Sequence, residues 1–348
     1  LGSDASVLSD SIREWVRMFS WVMVYLLVMQ LKDRLHPEKI LSILFFSLIV
    51  PLVAAFLQFL LPPSILPSFL VFESGYSVAA GSRMNGTLGH PSTFATFVLL
   101  FFALSLWKLG DTKNNRLTWA ILVGVLAFFL VSSKSLTGLV ILVAFIPAFF
   151  FPKSNFVNLI GAISLITMAI FLFASSDLGH ERLQSLYSTP LLNPDIDVSR
   201  AILMHWEDGN SFNWRIAQWT FLLQSWQKYP ILGYGIGTVY HVSIFDTAAH
   251  NDYIRFLIEE GIIGFIAFIG FLIAQFVRLI QLIVSVTSEK SQRNFCFLML
   301  ALLISMMVGM LTDNILYHTT LLFYWWTLMA IAGWNWTPSP SEEIQLKQ

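Results

Sequence analysis

Long apolar runs recur along the chain from about residue 15 to residue 336, divided by short polar breaks. A bilayer core of about 30 Å takes roughly 20 apolar residues to cross as a helix, and shorter runs cross where flanking groups snorkel or the bilayer thins. Nine stretches qualify: 15–31, 40–61, 91–109, 117–133, 136–151, 156–174, 261–283, 295–311 and 320–336. They are continuous Leu/Ile/Phe/Val runs without the alternation of barrel strands. A backbone in lipid must satisfy its own hydrogen bonds, so the pattern predicts helices. The expected fold is an all-α polytopic membrane protein of about nine transmembrane helices. The expected organisation is six spans within 1–174 with an outer loop at 62–90, a large loop at 175–260, three spans within 261–336 and a tail at 337–348.

Composition supports this reading over the two soluble domains that 348 residues would otherwise suggest. Hydrophobic residues make up 56% and charged residues 12%, against roughly 25% charged in ordinary globular chains. A net charge of −1 argues against nucleic acid as a partner, since a phosphate backbone demands a concentrated basic surface. The sole cysteine, Cys296, excludes an intramolecular disulfide and any multi-cysteine metal site.

Basic residues in short loops collect on the cytoplasmic side. With the nine helices alternating, Lys32, Arg34, Lys39, Lys108, Lys113, Arg116, Lys153, Arg278, Lys290, Arg293 and Lys347 share one side. Arg13, Arg17, Arg83 and Lys134 fall on the other. The N-terminus is therefore expected outside and the C-terminus inside. The chain starts without Met and without a signal-peptide pattern, which leads us to expect an odd number of preceding helices.

Two outer loops, 62–90 and 175–260, exceed the usual connection length, which marks them as functional or disordered. The longer one carries Trp206, Trp214, Trp219 and Trp226. Within it NWRIAQWTFLLQSWQKYP reads as a helix lying at the membrane interface, capped by Asn213 and ended near Pro230. Six of the seven histidines, all but His36, fall outside.

Four segments can carry chemistry. In GSRMNGTLGHPS, Arg83 precedes a glycine-rich bend and His90-Pro91 open a helix whose free N–H groups suit an anion; on spacing alone a plain return loop is the commoner reading. Lys134, in SSKSLTG, breaks the charge bias, or merely snorkels. Arg215 has aromatic neighbours and a guanidinium suited to phosphate oxygens, although an exposed arginine is more often in a weak surface pair. In AAHNDYIRFLIEEGIIG, His250 and Asn251 stand before a helix that runs straight into the seventh span. Asp252, Arg255 and Glu259 have helical pair spacings and read as structural. His250 has a suitable pKa and no ionic partner at helical spacing, or is a structural histidine.

The order SRxxGTLGHPS, SKSLTG, NWR, PxLGxGIG and AHNxYxxxxxExGxxG resembles the O-antigen ligase and Wzy polymerase superfamily over roughly residues 80–285. The resemblance implies a multi-pass glycosyltransferase of the bacterial inner membrane with its site facing the periplasm. Its donor would be an undecaprenyl-diphosphate-linked glycan and its acceptor lipid A-core or another glycan, with no cofactor or metal. It implies about a dozen helices with both ends cytoplasmic. His250, in the HN motif, would be the general base, and Arg215 the diphosphate clamp. Lys134 stands where many relatives have arginine, keeping the charge and losing the bidentate fork. Arg83, Asn251 and His90 complete the expected substrate contacts.

The loop 175–260 carries five basic and ten acidic residues. A diphosphate would be repelled by that average field, so the reading requires Arg215 to fold towards Lys134 and Arg83, away from the acids. Two rivals stand beside it. A transporter or lipid-linked glycan flippase would place ionisable groups or broken helices near the midplane. A non-catalytic assembly subunit would use the loop to hold a partner.

Overall fold

A computed structural model describes residues 5–72, 83–112, 115–150, 156–176, 179–180, 211–285 and 289–337. Trp206, the rest of 181–210, Lys113, Lys153 and the tail from 338 lie outside the described residues. Helices follow the apolar runs: α1 (Ala5–Met29), α2 (Pro37–Ser47), α3 (Ile49–Leu60), α4 (Pro91–Asp111), α5 (Arg116–Ser132), α6 (Leu136–Phe150), α7 (Phe156–Ala174), α8 (Ser211–Trp226), α9 (Asp252–Val284), α10 (Lys290–Gly309) and α11 (Thr319–Ala332). Among the described residues there is no strand. The protein is an all-α polytopic membrane protein. Among the described residues four stretches are long and apolar enough to cross a membrane: 37–60, 91–111, 252–284 and 290–309. Shorter apolar helices accompany them at 116–132, 136–150, 163–174 and 319–332.

α4 occupies the centre, packed by α5, α6, α10 and α11. Its residues from Phe94 to Leu104 are almost all inaccessible, which explains why this run is apolar all round rather than on one stripe. Gly138 brings α6 close to α4, since a Cβ there would meet the Ala95 Cβ at 2.6 Å. Outward faces of α1, α3 and α9 instead expose Phe19, Val50, Phe56 and Ile266, as helices bordering lipid do.

The stretch expected at 40–61 crosses as one apolar stretch, 37–60, with a single turn residue, Leu48, three residues before Pro51, whose missing N–H and ring perturb the helix locally. A second run is broken. The AHN helix does not run straight into the following span: Gly261 has φ 62° and ψ −165°, so a short first segment meets the longer membrane segment across a kink.

The kink explains why two glycine motifs belong together. Breaking the helix frees the N–H groups of Ile262 and Ile263, which donate to the carbonyls of Pro230 and Ile231 at 2.9 and 3.4 Å. The carbonyls of Ile258 and Glu259 accept from Tyr234 and Gly235 at 2.9 and 2.7 Å. The PILGYGIG turn thus replaces the bonds the helix gives up, as a break near lipid requires. Contact is too close for side chains: a Cβ on Gly261 would lie 2.2 Å from the Ile231 carbonyl oxygen, and one on Gly233 2.5 Å from that of Glu259.

The charges of the AHN helix form a buried network. Arg255 is wholly buried and lies 3.5 Å from Asp252 and 3.4 Å from Glu259, the two pairs expected from spacing. A third partner comes from α1: Glu14 accepts from Arg255 at 3.0 Å and also pairs with Arg17. The Tyr317 ring carries the Arg17 and Arg255 guanidiniums at 4.2 and 4.3 Å. These contacts tie α1, α9 and the α10–α11 turn together at one end of the bundle.

Candidate functional site

At that same end, segments far apart in sequence converge on the side chain of Asp313, in the turn between α10 and α11. Oδ1 accepts from the Asn314 N–H at 2.9 Å and lies 3.1 Å from His250 Nδ1; Oδ2 accepts from Thr137 Oγ1 at 3.1 Å. Burial by itself would raise the Asp313 pKa. The hydrogen bond from His250 and the positive fields of His318, His250 and Arg215 outweigh it and hold the carboxyl well below the usual carboxylate range. An ionised carboxylate only accepts, so Nδ1 of His250 is the donor in this pair. The His250 side chain is 31% exposed and that of Asp313 8%, which places a partly open imidazole over a buried carboxylate.

His250 is held by backbone as well. Its φ of 49° lies in the left-handed region. That conformation is supported by its N–H donating to Asn314 Oδ1 at 2.7 Å and by Trp219 Nε1 donating to the preceding carbonyl of Ala249 at 2.7 Å. Asn314 also donates to Asp252 at 3.2 Å, joining the imidazole's support to the buried charge network. Trp214 meets the His250 ring edge-on, with centroids 5.3 Å apart.

The other residues singled out from sequence are placed as follows. Arg83 donates from Nη2 to the Lys134 carbonyl at 2.9 Å, so the loop before α4 and the α5–α6 turn are in direct contact. Gln58 of α3 fixes that loop, accepting from the N–H groups of Asn85 and Gly86 at 3.1 and 3.0 Å. Lys134 sits at φ 50° in a three-residue turn whose Ser135 bonds Ser92 of α4 at 3.2 Å. Arg215 is in the first turns of α8, with its guanidinium 6.0 Å from the Trp214 ring, and its charge acts on Asp313. Asp313 lies outside the loop 175–260, whose acids were the ones the sequence argument required Arg215 to turn away from.

His90 caps α4, its Nδ1 accepting from the Ser92 N–H at 3.2 Å, with Pro91 in the first helical position. Although part of the ring is exposed, the protein packed around it strips solvent and lowers its pKa to about 4; Asp313 opposes this, while Arg83, His318 and His250 add to it. The ring is neutral near pH 7, as a cap acceptor must be, and its Nε2–H is a donor. Asn251 is spent on structure: Oδ1 caps α9 by accepting from Ile254 N–H at 3.0 Å, and Nδ2 donates to the Leu311 carbonyl at 3.1 Å. Asn213, expected as the cap of α8, lies instead inside its first turn and is buried.

The depressed His90 pKa carries a pH consequence. Between about 6.5 and about 4 the unfolded chain takes up a proton at His90 that the folded protein resists, so stability falls as pH drops through that window. His90→Asn, which keeps a cap acceptor and does not titrate, is expected to flatten that part of the melting-temperature profile. An unchanged slope would remove the assignment.

Sequence reading missed Asp313, Asn314, His318 and Thr137. His318 is buried and shares a 2.9 Å hydrogen bond with Thr96 of α4. Burial lowers its pKa, against the field of Asp313. The one signal for them was a polar TDN followed by a histidine within a short turn between two apolar helices. Among the described residues no group of three or more His, Cys, Asp or Glu side chains is arranged to hold a metal ion.

A family described as O-antigen ligase matches residues 69–269, a stretch that holds Arg83, Lys134, Arg215 and His250 and stops short of Asp313. No curated protein matches the chain.

Proposed function

Because the chain belongs to the O-antigen ligase family, we propose that it is a glycosyltransferase that moves a glycan from undecaprenyl diphosphate to an acceptor hydroxyl at the periplasmic face of the bacterial inner membrane. The observation that carries this reading is the His250–Asp313 pair with the charge of Arg215 acting on it, joined through Thr137 to the helix that follows the Lys134 turn.

In this scheme the acceptor hydroxyl gives its proton to His250 Nε2. Its oxygen bonds to the anomeric carbon as the bond from that carbon to the diphosphate oxygen breaks, and the diphosphate leaves with the electron pair. Negative charge grows on the leaving group, where fixed cations stabilise the transition state more than the ground state. Arg215 and Lys134 supply that charge. Arg83, whose Nη2 is engaged by the Lys134 carbonyl, fixes the turn that presents the lysine. In this scheme His90 Nε2–H donates to a diphosphate or sugar oxygen. Asp313 keeps the imidazole in the tautomer with Nε2 free and stabilises the imidazolium that forms, the part a buried carboxylate plays in hydrolytic triads. Asn251 acts through the fold rather than on substrate.

Asp313→Asn is expected to lower turnover about 10²- to 10⁴-fold. The KM for donor and the melting temperature should change little. A variant with wild-type turnover would show that the carboxylate does not orient the base.

The reading is tested with purified protein in proteoliposomes, supplied with an undecaprenyl-diphosphate glycan and a chelator of divalent ions. With lipid A-core present, a ligase gives a single glycan addition to that acceptor. Without it, a polymerase gives a ladder of longer carrier-linked chains. Because side-chain cations hold the diphosphate in this scheme, either product is expected to persist with the chelator. Donor movement across the bilayer with no transfer would favour a flippase and end the proposal.

A further inference from the structure

The turn between α8 and the Gly261 kink ends in an apolar tip. Tyr229, Ile231 and Leu232 are 57%, 60% and 72% exposed. The tip is rigidly built: Trp226 Nε1 donates to the Pro230 carbonyl at 3.1 Å, the Gly233 N–H donates to the Tyr229 carbonyl at 3.0 Å, and the Tyr229 and Tyr234 rings meet edge to face at 4.8 Å. The bonds from Ile262 and Ile263 to Pro230 and Ile231 fix it beside the first turn of the membrane segment of α9. There Ile262, Ile263 and Ile266 are themselves exposed, on a helix whose length and hydropathy suit it to cross a bilayer.

The patch formed by Ile231, Leu232, Ile262 and Ile263 is thus continuous with a lipid-facing surface. A contiguous apolar patch of this kind marks contact with a partner or a membrane. The tyrosines and Trp226 of the tip are side chains favoured where hydrocarbon meets headgroups, and the neighbouring Lys228 is exposed.

We propose that the Tyr229–Leu232 tip dips into the hydrocarbon of the leaflet beneath the catalytic segment and so anchors that segment to the lipid surface. This rests on the membrane placement given above. Its consequence is geometric: α8 and the His250 backbone are joined to the tip through Trp219, Trp226 and the kinked helix, so the leaflet sets the height of the imidazole relative to a lipid-borne diphosphate.

The test is nitroxide labelling of Leu232→Cys and, separately, Ile231→Cys in proteoliposomes, in a Cys296→Ala background. Ile266→Cys serves as the lipid-facing reference and Arg13→Cys, at the same end of the bundle and 73% exposed, as the aqueous one. Labels at 231 and 232 are expected to match the label at 266, accessible to oxygen and shielded from a water-soluble nickel chelate. Chelate accessibility like that at 13 would overturn the proposal, as would dipolar broadening from a second copy covering the tip. Reaction of Arg13→Cys with a membrane-impermeant maleimide on intact spheroplasts reports sidedness separately, so a tip in water and a reversed topology give different results.

Discussion

Replacing His250 with asparagine is expected to lower glycan transfer about 10²- to 10⁴-fold, the usual worth of a positioned general base, equivalent to about 3–5 kcal/mol of transition-state stabilisation. Asparagine is the informative choice because residue 250 has φ 49°, a conformation asparagine tolerates better than most residues. The backbone bond to Asn314 Oδ1 is then kept and only the imidazole is lost. Donor affinity should survive, because the cations proposed to hold the diphosphate come from the α5–α6 turn and α8. The effect belongs in kcat, read at saturating donor. Equal losses in kcat and donor affinity would point to a collapsed site, and wild-type kcat would remove His250 from the chemistry.

The second large effect is structural. Gly261→Ala places a Cβ 2.2 Å from the Ile231 carbonyl oxygen, at φ 62° and ψ −165°, a region open to glycine almost alone. Backbone strain there costs about 1–3 kcal/mol. Relieving the clash means giving up the bonds from Ile262 and Ile263, about 1 kcal/mol each. A total near 3 kcal/mol corresponds to a fall of about 6–12 °C in melting temperature. Transfer should fall with it, since the same turn carries α8 and the AHN segment. Gly270→Ala, in the same helix with open space around its Cβ, is the control and should melt at or slightly above the wild-type temperature. Equal melting of the two variants would show that the kink is not needed.

The helices were legible because hydropathy depends on composition over many residues. The runs 91–109, 117–133 and 156–174 appear as α4, α5 and α7 within a few residues. The kink at Gly261 was not legible: glycine is common in apolar helices, and what bends this one is a turn thirty residues earlier that supplies replacement hydrogen bonds. The site divides in the same way. Arg83, Lys134, Arg215 and His250 stood out as polar exceptions in apolar or aromatic surroundings. Asp313 and Asn314 did not, because an aspartate in a short turn is unremarkable until a histidine 63 residues away is laid against it. Glu14 likewise gains meaning only from Arg255, 241 residues distant.

Two of the long loop's acids are taken up by long-range contacts. Asp252 and Glu259 pair with Arg255, which also binds Glu14 of α1. A diphosphate near Lys134 and Arg215 meets a local arrangement of charge rather than the loop's average, and local fields decide interactions at a few ångströms.

The most direct test of the proposed site is photo-crosslinking. An undecaprenyl-diphosphate glycan bearing a photoreactive group on its first sugar is irradiated with the purified protein and the adducts are mapped by mass spectrometry. Adducts are expected in the peptides containing Lys134, Arg215 and His250, and unlabelled donor should compete them away. Competable adducts confined to other segments, with the His250 peptide unmarked, would contradict a single site built from those residues.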